Sequence, residues 1–563
     1  MSTTHNTNRM ENDPQSVSQP VSPIPGNITD ETASTQYSTS RETVPKHTVS
    51  HDESTLRPDS SAILTPENLA TRILTENDCP EALAYAWPKW KKWGILTVIF
   101  LVQISMNLNA SLYANGQSGI AEDLSVSVQA AVSGAANFLV LYAFGCELWA
   151  PWSEEFGRKP VLQCSLLMVN LCCIPVALAH IHRSFAVILV GRAFGGLFSA
   201  GGSVTLGVVA DMFTANEQEF PLAYIVLSSV GGSIVGPIIG GFIQRDLHWM
   251  WTIWIQLIFG VFVQILHLVF VPETRSAILL NRHAKKMREA KFETTGEKSN
   301  VYGPSESKPL KDYLLPKEIL AIWLRPFRML FTERIVMVLS TLSGFSDALI
   351  FIQIQSQDRV FRLWNFDEAQ IGLSFIPLGI AYILAFLLYI PIIYRNKVLR
   401  ARNPLSENAQ FESRLWWLLF TAPLLTVGIL LYAWTSTPTV HWICPMIGCL
   451  LIGIANYTIY MTTIDYMVKA YGPYSASATG GNGFARDFLA GILTWAAKPY
   501  YDAFEFKYGL QTANSMLAAI SLLLVAATFI VYYKGPAMRR RSPFAESLSH
   551  GRDEGLTGVR EIP

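Results

Sequence analysis

Four ionisable side chains of this sequence lie inside stretches that are otherwise apolar: Arg192, Asp347, Arg486 and Asp487. A charge at the centre of a bilayer costs about 2.5–3.5 kcal/mol on insertion scales, so such a group faces protein or a wet cavity and has a partner or a task there. A carboxyl in that setting can hold and release a proton. Asp347, in Ser343-Gly344-Phe345-Ser346-Asp347-Ala348, is therefore a candidate proton carrier, and permanent pairing with Arg486 is the structural alternative. Arg192, in Gly191-Arg192-Ala193-Phe194-Gly195-Gly196, either tunes a proton site or hydrogen-bonds backbone carbonyls. Uncharged polar groups form a second set: Gln103, Asn107, Gln353, Asn456, Tyr457 and Tyr460. They are candidates to line a cavity for an organic molecule, although each taken alone reads first as an interhelical hydrogen bond.

Two further patterns concern movement. In the run from Gly231 to Gly241, Gly232, Gly236 and Gly240 recur every fourth residue and share one helix face, where a second helix can approach closely. Pro237 interrupts the same run and frees the carbonyl four residues earlier, which a bilayer tolerates only where neighbours satisfy it. Gly232, Gly236, Pro237, Gly240 and Gly241 thus read as a hinge or gate, with plain helix packing as the alternative. In Pro151-Trp152-Ser153-Glu154-Glu155-Phe156-Gly157-Arg158-Lys159, a carboxylate stands beside two cations around a turn glycine. Glu154, Gly157, Arg158 and Lys159 can lock a gate through charge pairs that break when it opens, or they simply mark a charged turn.

Long apolar elements must hold these groups. Stretches able to cross roughly 30 Å of hydrocarbon recur at 93–113, 129–149, 160–180, 185–210, 222–243 and 250–271, then at 334–355, 369–391, 414–434, 439–461, 475–498 and 511–533. The expected fold is an all-α integral membrane protein with twelve transmembrane helices in two six-helix bundles, 86–271 and 334–534, joined by a loop at 272–333. Residues 1–85 are rich in Ser, Thr, Asn and Pro and cannot offset their ordering entropy by burial, so they are expected to form a disordered tail. Thr65-Pro66-Glu67 is expected to open one short helix within it. Residues 535–563 form a second tail.

Basic residues orient the spans. Lys89, Lys91 and Lys92 precede the first, Arg158 and Lys159 follow the second, and the central loop carries Arg282, Lys285, Lys286, Arg288, Lys311 and Lys317. Arg395, Lys397, Arg400 and Arg402 follow the eighth span and Arg539, Arg540 and Arg541 the twelfth, whereas loops 114–128 and 435–440 contain no basic residue. Positive charge collects on the cytoplasmic side, which places both termini and the central loop there. The acidic loop of Asp211, Glu217 and Glu219 runs against this pattern.

Half of the 563 residues are apolar and 15% are charged, against about 25% charged in soluble chains; much of this surface is hidden from water. A net charge of zero argues against nucleic acid as a partner. There is no P-loop, no H-E-x-x-H and no paired C-x-x-C, so ATPase, zinc and dithiol chemistry find no support and no cofactor is expected. Of seven cysteines, Cys146, Cys164, Cys172, Cys173, Cys444 and Cys449 lie in apolar segments and read as packing.

Gly232-x-x-x-Gly236-Pro237-x-x-Gly240-Gly241 resembles the antiporter motif of the major facilitator superfamily. The 151–159 segment is similar to that superfamily's G-x-L-a-D-r-x-G-R-k signature, with Glu154 in place of the Asp, Ala150 at the first Gly and Glu155 at a basic position. Arg192 matches the R-x-x-x-G element of the fourth span, implicated by the resemblance in proton coupling, although Gly195 replaces its usual glutamine. Trp87-Pro88-Lys89-Trp90-Lys91-Lys92-Trp93, Val271-Pro272-Glu273-Thr274-Arg275 and Gly344-Phe345-Ser346-Asp347-Ala348-Leu349 look like the fungal twelve-span drug:proton antiporters. The resemblance implies a non-enzymatic monomer in the bilayer of the plasma membrane. It would export amphipathic organic compounds (drugs, antifungals or secondary-metabolite toxins) against inward proton flow. A proton-coupled uptake carrier or facilitator for a polyamine or nutrient is the alternative within transport, and a non-transporting membrane sensor the alternative from another class.

Overall fold

The computed structural model describes residues 72–214, 217–296, 299–304, 306, 316–504, 506, 508–542 and 544–545. The helix expected at Thr65-Pro66-Glu67, most of the N-terminal tail and the end of the C-terminal tail lie outside these residues.

In hydrocarbon every backbone polar group must bond within its own segment, and the long apolar runs accordingly fold as helices. Spans 1 to 3 are Lys89–Ser111, Val128–Phe156 and Arg158–Ala177. Span 4 is Phe185–Ser199, continued by Val204–Met212 through the tight turn Ala200–Ser203. Spans 5 and 6 are Glu219–Asp246 and Met250–Phe270. Spans 7 to 10 are Arg334–Phe361, Ile376–Arg402, Pro423–Thr435 and Ile443–Ala470, and span 12 is Gly509–Arg539. Among the described residues, with span 9 counted from Glu412 to Thr435, these give eleven helical stretches long and apolar enough to cross a membrane.

The remaining span of the sequence pattern, span 11, is the 28-residue helix Ser475–Asp502. Its Ser, Thr, Gly and Asn residues, with Arg486 and Asp487, keep it out of the apolar set. It packs along spans 2 and 7, so protein rather than lipid covers its polar side chains. Spans 6 and 12 show the opposite character: Phe262, Ile265, Leu268 and Phe270, and Leu522, Leu523, Ile530 and Tyr533, are exposed in apolar bands suited to acyl chains.

Two expectations change. Span 2 continues to Phe156 and span 3 begins at Arg158, so the charged loop between them shrinks to Gly157. Gly157 takes φ +100°, and a Cβ there would lie 2.5 Å from Glu273 Oε2. Both facts require glycine. Residues 72–85, assigned to the tail by composition, are instead tied down. Arg72 and Ile73 pair in parallel with Val301 and Tyr302 of the central loop, and Leu74 and Leu83 pack on Leu280 and Ala284 of the loop helix Ser276–Thr295. A few apolar anchors on a helix suffice where the tail alone has no core.

Candidate functional site

A cavity of about 450 Å³ runs between the two halves from the end that carries the basic loops to mid-span. Gln103 of span 1, Tyr142, Cys146, Ala150 and Glu154 of span 2, and Thr205, Asp211, Leu222 and Ser229 of spans 4 and 5 line one side. Tyr460, Ile464 and Asp465 of span 10 and Ser475, Thr479, Gly480, Gly483 and Arg486 of span 11 line the other. Arg486 is eleven residues from the start of its helix, hence about 16 Å below the basic end at 1.5 Å per residue.

At that depth the structure brings together three of the four ionisable residues. Arg486 Nη2 lies 3.2 Å from Asp487 Oδ1 and Arg486 Nε 3.8 Å from Asp347 Oδ2 on span 7. The guanidinium also lies over the Tyr460 ring at 4.4 Å, and Cys146 Sγ stands 3.8 Å from Asp487 Oδ2. One cation therefore serves two carboxylates, where span 2 meets the other half. A second small cavity, lined by Asn107, Tyr142, Ser229, Asp347, Arg486 and Asp487, continues past the cluster.

Arg192 is not part of this group. It is buried between the rings of Tyr113 and Phe138, at 4.4 and 4.1 Å, and its Nη1 donates to the Asn109 carbonyl at 2.7 Å. Its Nη2 has no hydrogen-bond partner among the described residues. No carboxylate pairs with it there, so its present bonds are those of a packed arginine on backbone.

Around the mouth of the cavity, charges are joined in pairs. Arg158, buried, donates from Nε to Asp211 Oδ2 at 3.0 Å and from Nη1 to Ser153 Oγ at 2.6 Å, with Glu154 farther off at 3.8 Å. The acidic loop that ran against the charge pattern thus supplies the main partner of the basic turn. Glu273 accepts from the backbone N–H of Arg158 at 2.9 Å and of Lys159 at 3.2 Å, capping span 3. The Lys159 ammonium turns away, to the Leu268 carbonyl. Glu219, at the start of span 5, pairs with Arg400 at the end of span 8 and with Arg414 before span 9, the latter at 3.0 Å; Arg414 also holds Asp465. This buried network crosses from one half to the other. Arg539 is likewise no mere surface charge: it is fully buried against Glu412 and Tyr466.

At the opposite end span 5 carries its glycines. On the glycine face of span 5, a Cβ on Gly232 would lie 2.7 Å from Asn107 Cβ and one on Gly236 2.8 Å from the Leu112 nitrogen; Gly240 faces Asn115. The helix brought close is span 1 of the same half. Gly241 instead faces the other half, where a Cβ would lie 2.6 Å from the Glu368 carbonyl oxygen and 2.9 Å from Gly372 Cα. Pro237 is buried beside it. Gln129 adds a bond to the Trp495 carbonyl at 2.8 Å across the same end.

The polar candidates divide. Gln103 and Tyr460 line the large cavity and Asn107 the small one. Gln353 lies against Cys449, Asn456 bonds Ser346 and Tyr382, and Tyr457 donates across the halves to the Ala223 carbonyl at 2.9 Å. Sequence reading missed Glu219, Asp465 and Glu147. The last sits in Cys146-Glu147-Leu148-Trp149, where an acid near the end of an apolar run looks like a membrane boundary.

A profile of the Major Facilitator Superfamily matches residues 96–494. The efflux pump atB of Aspergillus terreus is 32% identical over 404 residues, covering 70% of this chain and 81% of the relative. The MFS-type transporter kojT of Aspergillus oryzae is 27% identical over 467 residues, covering 81% and 79%. Among solved structures, the proton:xylose symporter XylE bound to 6-bromo-6-deoxy-D-glucose aligns with a TM-score of 0.53 at 12% identity, covering 79% of this chain and 97% of that one.

Proposed function

This chain belongs to the Major Facilitator Superfamily and is a multi-pass membrane transporter, and we propose that it exports amphipathic organic compounds from the cytoplasm in exchange for protons. The observation that carries this reading is the cavity between the halves, open toward the basic end and reaching Arg486, whose partners Asp347 and Asp487 line the small cavity beyond it. With the basic end cytoplasmic, a compound enters from inside the cell and meets two carboxylates that share one cation. At least one carboxylate lacks a full counter-charge, and a proton from the other side supplies it. At about 100 mV and two pH units one proton provides about 5 kcal/mol, enough for a gradient of several thousandfold without ATP.

The paired charges at the mouth act as the gate of the cycle. The Glu219–Arg400–Arg414 network joins the halves on one side, and the Gly241–Gly372 contact closes the far end. Rocking the bundles exchanges one closure for the other. The name of atB, an efflux pump, favours outward transport. The test is accumulation of fluorescent amphipaths in cells with and without the protein, with and without a protonophore. Lower accumulation that the protonophore abolishes is the expected result; higher accumulation would mean uptake, and no difference across a broad panel would leave a sensor.

A further inference from the structure

We propose that Glu147 is the counter-ion for a positively charged nitrogen on the transported compound, so that the substrates are amphipathic organic cations; this rests on the transport reading above. Glu147 lies on span 2 and is 5% exposed. Its Oε1 has no hydrogen-bond partner, and no Lys, Arg or His pairs with either oxygen, among the described residues. Its Oε2 looks at Gly480, where a Cβ would lie 3.0 Å away. Gly480 lines the large cavity, as do Cys146, Thr479 and Gly483. The carboxylate therefore stands directly behind the cavity wall, at a point where the wall has no side chain.

Among the described side chains, the groups on the elements packed around it do not neutralise it. On span 11, Arg486 is engaged by Asp487 and Asp347. On span 2 itself the neighbours are the Cys146 thiol and, two turns on, Glu154. The helix Pro316–Thr332 packs on span 11 through the Pro326 carbonyl beside Gly481, while its Arg325 lies over Tyr474 at 5.8 Å and its Arg328 is exposed. Aromatic rings pack one turn away on both helices. Phe144, one turn from Glu147, meets Phe484, one turn from Gly480, edge-on at 5.2 Å; Phe484 also stacks on Phe488 at 5.2 Å and meets Phe327 at 4.7 Å. A lone buried carboxyl behind a cavity wall is a group that an organic ammonium or phosphonium can pair with through charge.

The experiment measures binding of tetraphenylphosphonium to the purified full chain, and export of cationic rhodamine 6G and uncharged Nile red by cells. Glu147→Gln keeps the size and removes the charge. It is expected to weaken tetraphenylphosphonium binding about tenfold or more and to lower rhodamine 6G export relative to that of uncharged Nile red, so that any preference for the cationic dye is lost. Glu147→Asp should fall between, and Gly480→Ala, which closes the window, should weaken cation binding with Glu147 in place. These two variants carry the test if Glu147→Gln does not fold. Unchanged tetraphenylphosphonium binding by the charge-neutral variant, or none by the parent, would overturn the assignment. A parent that exports neither dye would sink the transport reading instead. Cation binding that still depends on Glu147 would then support the site, and binding that does not would remove it.

Discussion

Glu219→Gln should shift the chain toward a wider opening at the basic end. The carboxylate of Glu219 is buried and joins Arg400 and Arg414, which belong to the other half. Any state closed at that end, including the one open to the far side, needs this contact. Removing one partner of a buried ion pair costs about 3–5 kcal/mol. Here Arg414 retains Asp465 and Arg400 is the more accessible partner; about 2 kcal/mol is the expected loss, a roughly thirtyfold change in the ratio of states. The assay places one cysteine at Ser475, on the cavity wall, in a chain whose native cysteines are replaced. A charged maleimide is then applied from the basic face of membrane vesicles. If closed states dominate in the parent, the alkylation rate should rise by up to about thirtyfold, while export falls because the far-open state is less populated. A rate within twofold of the parent, with export unchanged, would show that the network does not hold the halves together.

Gly241→Leu should abolish export at normal expression, because its side chain would run into the Glu368 carbonyl and Gly372 of the other half and prevent closure of the far end. Gly231→Ala, in open space, should be tolerated; equal transport by both variants would refute the gate. Asp347→Asn should support counterflow but not pH-driven accumulation in proteoliposomes, and full accumulation would shift the proton role to Asp487. Arg192→Lys should be partly active and Arg192→Ala inactive, since lysine keeps the charge but not the planar stack on Tyr113 and Phe138. Asp78→Asn should speed hydrogen exchange over 72–85. The Asp78 carboxyl is held down at about 2 by hydrogen bonds from the Thr75 backbone and side chain and from Arg72. Because that lies below its ordinary value of 3.8, its contribution to the docked segment is complete above about pH 4 and is lost as pH falls toward 2. Exchange that is the same at pH 6 in variant and parent would refute the role of this turn.

Much of the architecture was written in local pattern. Apolar runs of membrane length set the spans, since a backbone in hydrocarbon has little choice but helix. The four-residue spacing of Gly232, Gly236 and Gly240 announced a close helix contact whatever the partner, because glycine alone leaves that space. Span 11 was legible by length although its polar content hides it from an apolarity criterion. What the sequence did not determine is which distant side chains meet. Asp347 and Arg486 come together through the packing of spans 7 and 11, while Arg192, of the same residue type and equally embedded in apolar sequence, is held by rings and carbonyls instead. The acids of the loop after span 4 looked like exceptions to the charge pattern, yet Asp211 and Glu219 are the buried partners of Arg158 and of Arg400 and Arg414. Spacing along one helix fixes only which residues share its face. The rotation and depth of each helix against its neighbours decide whether a charge meets a partner, a cavity or nothing, and in a low-dielectric interior that difference governs its chemistry.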